Sequence, residues 1–268
     1  MASRPKFYVI DGHALAYRQF FALPLAGFST RAGEPTNAVY GFARTLLDIM
    51  QKEKPEYIAV SFDRGLSGRD TWYEEYKGTR EKMPGELRTQ MDRIAQLVEA
   101  FNMPLLAMDG YEADDVIGTI APQAEAQDLD IRIVTGDRDI LQLLTDHVTV
   151  QLPKKGEPDI VFDVAKFREE YGLEPWQLVE LKGLVGDTSD NIPGVKGIGD
   201  KTATKLLQEY QTVDNLYAHI DEVKGANQKK LIEGKVSAFL SKKLATIQRD
   251  VPITLNIQAC LAHDYDAG

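Results

Sequence analysis

Cysteine is almost missing from this chain: Cys260 stands alone among 268 residues, which excludes an internal disulfide framework and a thiolate metal cluster. Between Ala259 and Leu261 it reads as a small apolar filler. The four histidines form no cluster that would favour zinc. No apolar run approaches the about 20 residues needed to cross a bilayer. The opening Met-Ala-Ser-Arg-Pro-Lys leads into a strand pattern without a signal-type stretch, so a cytoplasmic location is expected. Internal repeats and low-complexity segments are also lacking. What remains is an ordinary globular composition, 43% hydrophobic and 27% charged, long enough for one large core or for a domain with a subdomain.

Carboxylates are abundant, and their placement is the informative feature. Asp11 and Asp63 close the apolar runs Lys6-Phe-Tyr-Val-Ile-Asp11 and Tyr57-Ile-Ala-Val-Ser-Phe-Asp63, and Asp137 closes Ile131-Arg-Ile-Val-Thr-Gly-Asp137. Ligands of parallel α/β sheets bind at the carboxyl ends of strands, so acids on three strand ends would converge on one crevice. Glu112, Asp114, Asp115, Asp139, Asp187 and Asp190 sit where turns or helices begin. Converging acids cannot all stay ionised without cations, and oxygen-only donors suit hard divalent ions such as Mg²⁺ or Mn²⁺. A pair of such ions suits phosphodiester hydrolysis.

The formal charge of −10 argues against a nucleic-acid partner only until the nine clustered acids are set aside, which leaves −1. From Lys224 to Arg249 seven bases (Lys224, Lys229, Lys230, Lys235, Lys242, Lys243, Arg249) face one acid, Glu233. Either a phosphate-binding face or a solvated lysine-rich helix pair accounts for that segment.

Strand patterns at 6–11, 57–63, 103–108, 131–135 and 148–152 alternate with helix patterns near 36–52, 86–102, 112–126 and 138–144. This predicts an α/β fold, a mostly parallel sheet flanked by helices. Pro122 should kink or end its helix. After about 163 only helical patterns follow, near 163–171, 176–185, 200–210, 212–220 and 226–249. The expected division is a core over 5–171 and a helical subdomain over 172–268.

In Tyr111-Glu-Ala-Asp-Asp-Val-Ile, a helix starting near Glu112 puts Glu112 and Asp115 on one face and offsets Asp114. First-turn acids favour the helix dipole, which explains one or two of them better than three. Asp137 and Asp139 alone would pass for a loop and an N-cap; beside Asp11 and Asp63 the metal reading is preferred. Gly194 and Gly199 imitate a P-loop, but Asp200 stands where its lysine must be and no strand precedes it. Two helices joined by Pro193-Gly-Val-Lys-Gly-Ile-Gly199 instead suggest a helix-hairpin-helix, whose backbone N–H groups can hold a DNA phosphate.

Six motifs in order, Asp11-Gly-His-Ala-Leu-Ala-Tyr-Arg, Phe62-Asp63, Tyr76-Lys77-x-x-Arg80, Gly110-Tyr-Glu-Ala-Asp-Asp-Val-Ile, Thr135-Gly-Asp-Arg-Asp and Gly186-Asp-x-x-Asp-Asn-Ile-Pro-Gly-Val-Lys-Gly-Ile-Gly, resemble the 5′ nuclease (flap endonuclease) superfamily. They are most similar to the amino-terminal 5′→3′ exonuclease domain of bacterial DNA polymerase I, from about Phe7 to Asp266. The closing Asp264-Tyr-Asp266 resembles a polymerase I segment just after that domain, which implies a piece of a longer polymerase.

The resemblance implies a helical arch, two Mg²⁺ or Mn²⁺ ions, and a monomer acting on DNA with a 5′ end or flap, with RNA-primed duplex as a further substrate. Asp11, Asp63, Glu112 and Asp114 would surround one ion and Asp115, Asp137, Asp139, Asp187 and Asp190 the second, some through water. Lys77 and Arg80 would act catalytically on the scissile phosphate at the base of the arch, and Tyr17 would stack on a terminal base. Arg18, Arg69, Gly194, Lys196, Gly197, Gly199, Lys201, Lys242 and Lys243 complete the expected nucleic-acid contacts, with a K⁺ at the hairpin turn. Where similar members read Thr-Phe-Arg-His-Glu, this chain reads Ser67-Gly-Arg69-Asp-Thr71, which keeps the arginine but alters the foot of the arch. A PIN-type ribonuclease would share the strand-end acids but normally lack arch and hairpin. A non-catalytic module holding branched DNA would be signalled by lost acids, and none is lost.

Overall fold

A computed structural model of the chain describes residues 4–65, 67–154 and 157–262; the Asp264-Tyr-Asp266 segment lies outside them. Strands β1 (Lys6–Asp11), β2 (Tyr57–Ser61), β3 (Leu105–Leu106), β4 (Asp130–Val134), β5 (Val148–Lys154) and β6 (Glu157–Phe162) form one sheet in the order β3-β2-β1-β4-β5-β6. All neighbours are parallel except β6, which pairs antiparallel with β5.

Strand alternation assigns side chains to the two faces. Phe7 and Val9 of β1, Ala59 of β2 and Ile131 and Ile133 of β4 enter one apolar cluster, while Tyr8, Ile10, Ile58 and Val60 enter the other. The second face is covered by α1 (Gly12–Ala22), α2 (Asn37–Asp48) and α3 (Gly85–Ala100) through Leu15, Phe20, Phe42, Leu46, Leu87 and Ile94. On the first face lies α4 (Ala113–Glu125), with Ile117, Ile120 and Ala124. The same cluster continues into α5 (Val164–Tyr171), α6 (Leu178–Val185), α7 (Asp200–Tyr210), α8 (Val213–Ala218), α9 (Ala226–Glu233) and α10 (Lys235–Ala245) through Phe167, Leu181, Leu207, Leu216, Leu231 and Ala238. Among the described residues no helix is long and apolar enough to cross a membrane.

Several elements differ from the sequence reading. Helix α1 lies where no helix pattern was evident: it opens on Gly12, and exposed Phe21 follows buried Phe20, which blurs the period. Buried Leu15 and Phe20, each worth about 1.5–3 kcal/mol, offset that poor start. Strand β6 was also unmarked, because Glu157-Pro-Asp-Ile-Val-Phe162 is an edge strand with little apolar alternation. Residues Arg138–Leu143 form a 3₁₀ rather than an α-helix, and the 226–249 pattern divides at Gly234. Pro122 does not end α4, which runs on to Glu125, so it costs the helix the N–H bond to the carbonyl four residues earlier rather than its continuation. Between β2 and α3, where an arch was expected, the described residues form a 3₁₀ turn (Gly68–Thr71) and further turns, with α3 starting only at Gly85.

One buried ion pair ties these parts together. Arg69, 2% exposed, donates through Nη1 and Nη2 to the two oxygens of fully buried Asp115 at 2.8 and 2.7 Å. Its Nε and Nη2 also donate to the carbonyls of Leu244 (3.1 Å) and Thr246 (2.9 Å). Asp115 accepts in addition from the backbone N–H groups of Gln248 and Glu112. A fork of this kind satisfies the charge from several sides, which is the condition for a stable buried pair.

Removing one partner strands the other charge. Arg69→Met is expected to cost about 3–5 kcal/mol, whereas Arg69→Met with Asp115→Leu recovers most of it. Urea denaturation of the three proteins checks this; a single-variant loss below about 1 kcal/mol would show that the pair is an ordinary surface-type contact.

Candidate active site

The carboxyl ends of β1, β2 and β4 open on a cleft of about 1110 Å³. Strand order reverses on either side of β1, so the crossovers leave in opposite directions and expose this edge. Seven of the nine expected acids line the cleft: Asp11, Asp63, Glu112, Asp114, Asp137, Asp139 and Asp187. Lys77, Arg80, Tyr17 and Asp200, the first residue of α7, line it too.

Backbone geometry fixes each acid. Asp11 ends β1 and caps α1, accepting from Ala14 N at 3.0 Å, while its other oxygen accepts from Thr135 Oγ1 at 2.7 Å. Asp63 accepts from Ala113 N at 2.7 Å, and its own N–H donates to His13 Nδ1 at 3.1 Å. Asp137 caps the 3₁₀ turn by accepting from Asp139 N at 2.8 Å. Glu112 caps α4 in a reciprocal box with Asp115 and accepts from Ser67 Oγ at 2.9 Å and Lys77 Nζ at 2.8 Å.

The pKa shifts follow from burial and crowding. Burial, together with Asp63 and Asp137, pushes Asp11 up to about 6 despite two hydrogen bonds that oppose the rise. Burial and the charges of Asp137 and Asp11 drive Asp114 well above the usual carboxylate range. Asp139 rises to about 6, chiefly through burial, even with Lys182 beside it. For Glu112 burial acts upward but Lys77 and Arg69 reverse it, and Asp187 is likewise lowered by Lys182 and Ser189. Burial lowers His13 against the opposing charge of Asp63.

Two expected ligands stand apart from the cleft wall. Asp115, expected around or behind an ion, and Arg69, expected at nucleic acid, are paired with each other in the interior, and neither lines the cleft. Asp190 is buried and held by the Arg80 guanidinium, with Tyr76 Oη at 3.5 Å and Lys77 Nζ at 4.0 Å. Lys77 and Arg80 thus already carry acidic partners, and Lys77 N–H also donates to the Asp190 carbonyl at 2.9 Å.

The remaining expected contacts divide in the same way. Lys196, Gly197, Gly199 and Lys201 are exposed at the entry to α7, while Gly194 is buried. Gly186 and Gly194 meet back to back at φ +82° and +61°; a Cβ on Gly194 would lie 2.3 Å from Gly186 N. Helix α10 clamps that peptide, with Ser241 accepting from Gly194 N and Ser237 donating to its carbonyl. The Gly197 carbonyl accepts from Lys230 Nζ at 3.0 Å, so an ammonium already serves the turn where K⁺ was expected. Lys242 is engaged by Glu180 (2.9 Å) and Asp214 (2.5 Å), and Lys243 lies 3.9 Å over the Trp72 ring. Arg18 forms a forked pair with Asp159 of β6. Lys242 and Arg18 thus already carry acidic partners.

Sequence reasoning missed Lys182, His13, Tyr76 and Phe21. Lys182 bonds both Asp139 and Asp187; its one signal is a charge inside the apolar helix Leu178-Val-Glu-Leu-Lys-Gly-Leu-Val185. Phe21 lines the cleft and stacks on Tyr17, four residues earlier on α1, at 6.4 Å between ring centres.

Acid-only oxygen donors, three of them held above their normal range by burial and one another, are chemically suited to hard divalent ions. Among the described residues no group of three or more His, Cys, Asp or Glu is gathered into a ready ion cage. Two lysines already neutralise acids here: Lys77 Nζ meets Glu112 and Asp190, and Lys182 Nζ meets Asp139 and Asp187.

The 5′-3′ exonuclease N-terminal resolvase-like domain matches residues 6–172, and the 5′-3′ exonuclease C-terminal SAM fold matches residues 173–267. The chain belongs to the 5′-3′ exonuclease family. It is 48% identical over 266 residues to a DNA polymerase I of Chloroflexus aurantiacus and 46% identical over 260 residues to that of Bacillus subtilis, covering 98% and 96% of this chain but 28% and 29% of those proteins. It thus spans under a third of the length of these relatives. In fold it is similar to T5 5′-exonuclease with bound divalent metal ions (zinc), at TM-score 0.75 and 21% identity over 90% of this chain and 89% of that one. The catalytic core of Rad2 in complex with DNA substrate is similar at TM-score 0.59 and 15% identity, over 92% and 81%.

Because the cleft acids repel one another, Asp114→Asn is expected to stabilise the chelator-treated protein at pH 8, each kcal/mol being worth roughly 2–4 °C in a chain of this size. Carboxyls raised on folding contribute stability below their unfolded value of about 4 and lose it as pH rises through the folded value, here about 6 for Asp11 and Asp139. The gain from Asp114→Asn should therefore shrink on going from pH 8 to pH 5. Thermal melts in excess chelator test this, and a variant melting below wild type at pH 8 would refute the repulsion account.

Proposed function

We propose that this chain is a divalent-metal-dependent, structure-selective 5′→3′ exonuclease and flap endonuclease that hydrolyses DNA to leave 5′-phosphate products, in primer removal and repair. The observation that carries the reading is the convergence of seven acids with Lys77 and Arg80 in one cleft bordered by the start of α7. Asp11, Asp63, Glu112 and Asp114 would hold one ion and Asp137, Asp139 and Asp187 the second. Bound divalent ions supply charge neutralisation and an activated water at neutral pH.

The protein's own part is positioning. Lys77 and Arg80 bring positive charge to the cleft wall, where a phosphate can replace Glu112 and Asp190 as their partner. Tyr17 and Phe21 offer an aromatic platform to a terminal base. The hairpin from Gly194 to Gly199 would hold duplex phosphates through its backbone, with the core (5–171) carrying most of the cleft acids and the helical part (172–268) adding Asp187 and the DNA-holding turn. A K⁺ at the hairpin turn would share carbonyls that already accept from Lys230 and Ser237. In the cell this would be a cytoplasmic, monomeric nuclease unit fused to a polymerase; RNA-primed duplex is included among its substrates.

On a 5′-flap DNA the protein should cut only with Mg²⁺ or Mn²⁺, and Lys77→Ala should lower kcat by roughly 10²–10³ with little change in Kd. Equal cleavage of matched single-stranded RNA would favour a PIN-type ribonuclease, and cleavage in excess chelator would exclude metal dependence.

Replacing Lys196 and Lys201 with Ala should weaken binding to unrelated duplex sequences about equally and flatten the salt dependence by up to about two phosphates' worth. Lys242→Ala should leave that slope unchanged, because its charge is spent on Glu180 and Asp214. Affinity measured against salt concentration decides; a flattened slope for Lys242→Ala alone would place the duplex on α10.

A further inference from the structure

Lys182 occupies an unusual position for a basic residue. It projects from α6, whose neighbouring Leu178, Leu181 and Leu184 are buried, and its side chain is 15% exposed. Its ammonium donates to Asp139 Oδ1 and, at 2.5 Å, to Asp187 Oδ2. These carboxylates come from different elements: Asp139 from the 3₁₀ turn after β4, Asp187 from the loop that leaves α6. Lys182, Asp139 and Asp187 all line the cleft. The group does for the two acids what a divalent ion would do, with one charge in place of two.

We propose that Lys182 is the resident counter-cation of the Asp139–Asp187 pair, displaced when a divalent ion takes those acids and then free to meet a substrate phosphate. The inference rests on the reading of the cleft acids as divalent-ion ligands. Three considerations support the exchange. Two cations cannot share one pair of carboxylates, each only 16% exposed, without strong repulsion, because the local dielectric is reduced. The lysine stem is flexible and its ammonium is a compact point charge, so it can leave without disturbing α6. A displaced ammonium still opens on the cleft, where a phosphate is the anion that would replace its lost partners.

Such an exchange couples the two ligands. Without DNA the ion must evict Lys182, which weakens that site; with DNA the evicted ammonium finds a new anion, and ion affinity rises. By linkage the ion then strengthens DNA binding by the same factor. Lys77 differs because it belongs to the turn region after β2 and meets other acids, Glu112 and Asp190.

The test is Mn²⁺ binding to the full chain without DNA, followed by calorimetry or by the paramagnetic resonance of free Mn²⁺, in wild type, Lys182→Met, Lys182→Arg and Asp139→Asn. Lys182→Met should tighten one Mn²⁺ site by about tenfold or more, since a competing charge is removed. Lys182→Arg keeps the charge and should not tighten it, and Asp139→Asn should lose it. Adding duplex DNA should tighten that site in wild type and do so less in Lys182→Met. Circular dichroism establishes that each variant is folded, and Lys182→Gln serves under the same criterion if Lys182→Met is not. Mn²⁺ bound by wild type with equal or greater affinity than by the neutral variant overturns the counter-cation role alone. Absence of Mn²⁺ binding to wild type would remove the divalent-ion reading and this inference with it.

Discussion

The arrangement depends on a fixed conflict: seven carboxylates share a cleft in which like charges repel, so their positions must be imposed by the scaffold. Backbone N–H groups do much of this. Asp11, Asp63 and Asp137 each accept from an amide at a turn or helix start, so the groups that terminate strands and cap helices are also those that face the cleft. The Arg69–Asp115 pair does the rest. It pins the start of α4, and with it Glu112 and Asp114, to the turn after β2 and to the segment after α10.

This explains why the site spans both halves of the chain. Asp187 and Lys182 come from the helical half, and the carbonyls that receive Arg69 come from Leu244 and Thr246. One apolar cluster runs from β1 and β4 through α6, α7 and α10, so the two halves share a core as well as a cleft. Aligning a cleft across such a seam requires contacts that resist sliding, and buried forked hydrogen bonds are more directional than apolar packing.

What was legible in the sequence was whatever burial or a turn writes locally. Phe7 to Ile10 are apolar on both faces and Ile131, Ile133 and Val134 are buried, so β1 and β4 stood out, and the acids after them had one direction to face. The edge strand β6 has one covered face and a proline, and left no such mark. Orientation within a motif was harder. Asp114 and Asp115 are neighbours, yet one lines the cleft and the other is sealed behind α4; only the distant Arg69 decides between them. The same holds for Lys242, which reads as part of a basic face until Glu180 and Asp214 fold against it.

The last described residues run under the opposite end of the sheet. Leu261 bridges Tyr57 at the start of β2, and Ala262 N–H donates to the Glu56 carbonyl. That contact lies at the foot of the strands, while the cleft opens at their head, about 16 Å away at roughly 3.3 Å per residue. The last described residues thus brace β2 from the end opposite the cleft and touch none of its acids.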